Sequence, residues 1–80
     1  MELKSNTSER LKYLMQTRSL RQVDILKLCE PVSKRIGISI NKNDLSQYVN
    51  GKNTPGQFKL TLLGIALNVS ESWLMGCDVP

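Results

Sequence analysis

Eighty residues with 40% apolar side chains make one small domain spanning 1–80, since domains usually hold about 100–150 residues. A chain of this length buries only about 60% of its unfolded surface, which leaves no room for a cofactor sheet beside a substrate domain. With no histidine anywhere in the sequence, the Ser–His dyad, the imidazole general base and the commonest zinc ligand are excluded together. No catalytic residue, metal ligand or cofactor is expected.

The formal charge of +4 is unevenly spread, with six basic and four acidic side chains in residues 1–30, five and one in 31–60, and none and two in 61–80. A polyanion would therefore meet the middle of the chain, although a plain solvated basic surface has the same composition. Cys29 and Cys77 belong to no CxxC or Cys/His pattern, and no signal-like or long apolar run occurs. The expectation is a reduced cytoplasmic protein with no membrane span.

Short helix patterns follow one another along the chain. The first runs from Thr7 to Thr17, with Asn6 and Glu9 spaced as a capping box and Leu11, Leu14, Met15 and Arg18 on one face. Ser19 and Leu20 break it. The second runs from Arg21 to Cys29, burying Val23 with Leu26 and Ile25 with Cys29, and Pro31 stops it because a proline disfavours helical dihedrals at the residue before it. From Pro31 to Ile40 the alternating Ile36, Ile38 and Ile40 lack a partner strand and read as an extended loop tucked onto the core.

The third helix is the best marked. Asn41 caps it, Asp44 closes an N-x-x-D box, Ile40 and Leu45 stand at the hydrophobic-staple positions, and Gly51 stops it after Asn50. A fourth starts with Thr54 as cap and Pro55 as first residue, carries Phe58, Leu62, Leu63, Ile65 and Ala66, and ends at Asn68. Gly64 inside it costs about 1 kcal/mol relative to alanine, for no reason visible in the sequence. The fifth is short, capped by Ser70, packed through Trp73 and Leu74 and ended by Gly76. Five short helices make an all-α fold.

On the third helix, steps of roughly 100° put Lys42, Ser46, Asn50, Asn43 and Gln47 at roughly 0°, 40°, 80°, 100° and 140°. Leu45, Tyr48 and Val49 fall on the opposite arc. A solvated helix face usually mixes Glu with Lys, whereas this one offers amide, hydroxyl and ammonium groups without a carboxylate. Those groups read base edges: Gln or Asn on adenine, Lys on guanine, Ser on either. A polar face that merely lacks acids is the plain alternative.

LRQVDIL at 20–26, INKNDLSQYVNGK at 40–52 and LNVSESWLMG at 67–76, in that order, closely resemble the helix-turn-helix domain of the lambda-repressor-like Cro/CI class. The likeness is nearest to the N-terminal domain of CI repressors from temperate phages of lactococci, and runs from near Thr7 through the terminal GCDVP. It implies a compact five-helix domain whose third helix enters the major groove. By position, it implies base reading by Lys42, Asn43, Ser46 and Gln47, and a backbone phosphate on Gln22. A helix N-terminus favours an anion at that last place on physical grounds as well. Asn50, Lys52 and Asn53, just after the third helix, would meet the sugar-phosphate backbone and position the domain.

Two features depart from the usual family pattern. The link from Cys29 to Asn41 is long where a tight turn is common, which puts Lys34 and Arg35 on a loop, reaching phosphates or simply solvated. Arg21 stands at a cap position that Ser, Thr or Asn usually fills, losing a capping bond while offering a phosphate contact. The resemblance implies a repressor that binds operator DNA in the bacterial host, a homo-oligomer formed through a region beyond this chain, and an antirepressor protein as a candidate partner. A Cro-like regulator, an antitoxin with the same headpiece, or a protein-interaction module that kept the fold are the alternatives. Elsewhere, Tyr48 and Trp73 read as packing residues, Arg10, Lys12 and Arg18 as solvated, and Cys29 as a small buried apolar side chain.

Overall fold

The computed structural model describes residues 6–77; the last three residues of the GCDVP motif lie outside them. At the start of that range the Asn6 side chain accepts the Glu9 backbone N–H at 2.9 Å and opens α1 (Thr7–Thr17). Four more helices follow, α2 (Gln22–Ile36), α3 (Lys42–Val49), α4 (Gln57–Leu67) and α5 (Glu71–Leu74), and there is no strand among the described residues. α2 lies against α4 and α3, α1 against α3 and α5, and α4 against α5. Between them sits one core, built mainly from Leu11, Leu14, Ile25, Cys29, Leu45, Val49, Leu62, Leu63, Leu67 and Leu74.

Pro31 does not end the second helix. α2 passes through it and continues to Ile36, fifteen residues in all. The reason is an apolar stripe at Ile25, Cys29, Val32 and Ile36, of which the first three are buried and the last packs against the core. A proline inside a helix costs about 3 kcal/mol. Burying Val32 beyond it contributes roughly 1.5–3 kcal/mol, the partial burial of Ile36 adds to that, and the carbonyl of exposed Lys27, which loses its helical partner, can turn to water. Packing wins. The extended loop expected between the second and third helices is therefore a short turn over residues 37–41.

Gly37, unremarked in the sequence pattern, closes α2. It takes φ 73° and donates its N–H to the Ser33 carbonyl at 2.9 Å, a left-handed cap that suits glycine. Ile38 and Ile40 then tuck against the core as expected.

Further boundaries and contacts differ from expectation. α4 starts at Gln57 with Gly56 as its cap, so Thr54 is no cap and Pro55 is a buried residue ahead of the helix. Being apolar on nearly every side, α4 gives no clean periodic signal, and it exposes Phe58 and Ile65 while burying Leu60, Leu62, Leu63 and Leu67. In α2, Val23 is exposed rather than buried. Gly64 has its reason in close approach: a Cβ there would stand 2.9 Å from the Val69 carbonyl oxygen, because the chain folds back over α4 and the Val69 N–H bonds the Gly64 carbonyl at 2.9 Å. Arg18 is exposed as expected and also donates from Nη1 to the Leu67 carbonyl at the end of α4. Arg10, expected to be solvated, is half-buried, its guanidinium 4.7 Å over the Trp73 ring, whose edge contact with Tyr13 has a centroid distance of 5.9 Å.

The continuous α2 makes a checkable prediction. Pro31→Ala restores the bond to the Lys27 carbonyl at an exposed position and should raise stability by about 1–3 kcal/mol, less a small gain in unfolded-state freedom. Urea unfolding measures it. A lower midpoint would mean that Pro31 ends the helix after all.

Candidate nucleic-acid interface

α3 is held by its apolar side. Leu45 is fully buried, with Tyr48 and Val49 nearly so. Asn41 accepts the Asp44 backbone N–H at 2.8 Å as its cap. The reciprocal half of the expected box is absent from the described bonds; Asp44 instead points its carboxylate to Lys59, 4.0 Å from Nζ. Lys59 also donates to the Ser39 carbonyl in the turn before α3. The one acid of α3 thus has a cation nearby. At the other end, Ser8 on α1 donates its hydroxyl to the Val49 carbonyl, and Gly51 at φ 75° lets the chain turn away.

The opposite side of α3 faces solvent. Lys42, Asn43, Gln47 and Asn50 are exposed and Ser46 is half-buried. Helical spacing stacks Lys42 over Ser46 and Asn50, and Asn43 over Gln47. Asn50 Nδ2 donates to Ser46 Oγ and Asn53 Nδ2 to Gln47 Oε1, both at 3.4 Å. Lys52 and Asn53 are exposed in the turn that leaves the helix, where the Lys52 N–H closes the helix end on the Gln47 carbonyl at 2.9 Å. Seven of the expected residues, Lys42, Asn43, Ser46, Gln47, Asn50, Lys52 and Asn53, therefore belong to one helix and its exit.

The remaining four lie on α2 or at its cap. Gln22 is its first residue and half-buried. Beside it Arg21 lacks a capping side chain, as expected, but Asp24 supplies the cap in reverse by accepting the Arg21 backbone N–H at 2.8 Å. The Asp24 carboxylate also accepts from Arg21 Nε at 3.2 Å and Nη2 at 3.3 Å. The Arg21 guanidinium, followed by its backbone N–H, holds the Asp24 carboxyl below the usual carboxylate range. This end of α2 carries a neutralised pair rather than a bare cation. Lys34 and Arg35 are not on a loop: they are exposed in the last turn of α2, where cations suit the negative end of the helix dipole. They lie roughly 18–20 Å along the helix from Gln22 by its rise per residue.

The Cys29 thiol and the Tyr48 phenol are both held protonated by their surroundings. Burial pushes the Cys29 thiol up to about 11, and burial followed by the Asp44 charge raises the Tyr48 phenol. Among the described residues no group of three or more His, Cys, Asp or Glu stands where it could hold a metal ion. None of the described helices is long and apolar enough to cross a membrane. No family model matches the chain, and no curated protein matches it.

Thiol chemistry gives a direct check of this packing. In the native chain at pH 8, an alkylating reagent should modify the half-buried Cys77 readily and Cys29 only on unfolding, because both access and thiolate formation are denied there. Two fast equivalents would show that the core around Cys29 is open.

Proposed function

We propose that this chain is a sequence-specific double-stranded-DNA-binding domain of the lambda-repressor-like type and acts as a phage transcriptional repressor. In this reading α2 and α3 form the helix-turn-helix and α3 enters the major groove. The observation that carries it is the exposed face of α3, which offers ammonium, amide and hydroxyl groups, while the only carboxylate of the helix, Asp44, stands 4.0 Å from Lys59 Nζ. A carboxylate on that face would repel phosphates, and its groups match the donor and acceptor pattern of base edges. The basic excess of residues 31–60 and the sequence resemblance support the same reading. The short turn over residues 37–41 is also nearer to the tight link usual in that family than a long loop would be.

Lys42, Asn43, Ser46 and Gln47 read bases, while Asn50 and Lys52 meet the sugar-phosphate backbone and set the register. Gln22 meets a phosphate at the start of α2, with Arg21 able to join it by leaving Asp24. Two copies on inverted half-sites roughly 34–36 Å apart, or a multiple of that, would cover an operator. The exposure of Phe58 at 72%, with Ile65 seven residues further along α4, favours a second reading in which the domain binds a protein. Such a partner would not depend on Lys42 and Lys52.

Two substitutions separate these roles. Gln47→Ala should relax preference at one base pair by about 1–3 kcal/mol, while Lys52→Ala should weaken all duplexes alike and reduce the salt slope by about 1. Titrations over a set of base-substituted duplexes read both effects. Uniform loss in both variants would sink the assignment of roles, and no loss in either would leave the protein-binding reading.

A further inference from the structure

We propose that Asn53 is a positioning residue that fixes which end of the Gln47 amide faces the DNA, rather than a backbone contact. The inference rests on the DNA-reading function above. Asn53 is itself oriented by its neighbour: the Thr54 backbone N–H donates to Asn53 Oδ1 at 3.0 Å. With its oxygen turned to that N–H, Asn53 directs its Nδ2 protons the other way, and one of them reaches Gln47 Oε1 at 3.4 Å. The same turn holds the Gln47 main chain, whose carbonyl accepts the Lys52 N–H at 2.9 Å and the Asn53 N–H at 3.4 Å. Gln47 is thus gripped at backbone and side chain by one short segment.

The relay has a direction. An amide carries an acceptor with two lone pairs at one end and two donors at the other, and Asn53 engages one lone pair of Gln47 Oε1 and so turns that end toward itself. The Nε2 donors remain to face the groove, where purine N7, guanine O6 and thymine O4 accept. Glutamine is among the side chains with most rotamer freedom to lose, so holding it before contact favours one hydrogen-bonding pattern over others. Asn53 then contributes to discrimination between bases and little to overall affinity.

The test is a double-mutant cycle over Asn53→Ala and Gln47→Ala, read as preference among duplexes that differ at the base pair Gln47 contacts. Asn53 is exposed in a turn, so its truncation leaves the core intact. The expected result is that Asn53→Ala cuts that preference by roughly threefold to tenfold and has no further effect once Gln47 is alanine. Equal loss on every duplex, additive with Gln47→Ala, would overturn the proposal and make Asn53 a phosphate contact. Nuclear magnetic resonance of the free chain separates this failure from failure of the DNA-reading function. There Asn53→Ala should shift the Gln47 side-chain amide signals and broaden its rotamer distribution, and an unchanged Gln47 would overturn the positioning role whether or not the chain reads DNA.

Discussion

An eight-residue helix cannot hold itself together in water, and α3 is eight residues long. It exists because Leu45, Tyr48 and Val49 are buried against α1 and α2, at roughly 1.5–3 kcal/mol for each fully buried side chain. That single anchorage fixes everything on the other side. Once those three residues point inward, helical geometry turns Lys42, Asn43, Ser46 and Gln47 outward as a set. Removing Leu45 would loosen the helix and scatter the face with it.

The rest of the domain acts as a clamp on this element. Asn41 caps its start, Lys59 holds the turn before it and stands near Asp44, and Ser8 of α1 bonds the Val49 carbonyl at its end. α2 supports it through a stripe that outlasts its own proline. These contacts go to the ends and the packed side of α3 and leave Lys42, Asn43, Gln47 and Asn50 exposed. The amide relay from Thr54 through Asn53 to Gln47 extends that ordering beyond the helix.

Much of this was legible in the sequence, because caps and stops are local chemistry. Asn6, Asn41 and Ser70 cap as their spacing implies, and Gly51, Asn68 and Gly76 take the left-handed backbone expected of them. The outward face of α3 followed from periodicity alone. What was not legible depended on partners distant in sequence. Pro31 carries a correct local signal that burial of Val32 and Ile36 overrides, and that override moved Lys34 and Arg35 from a loop to a helix end. Phe58 and Ile65 could not be told from their buried neighbours on a helix apolar all round. Gly64 made sense only when Val69 was seen folding back onto it, and the bond from Arg18 to Leu67 spans 49 positions.

Everything proposed for this domain turns on whether the solvent face of α3 reads base sequence in duplex DNA. Selection from a random duplex library, run with this chain at two salt concentrations, tests it most directly. Specific reading predicts one enriched motif that weakens but persists at the higher salt, because base contacts outlast the loss of phosphate attraction. Binding that disappears with salt and enriches no sequence would contradict it.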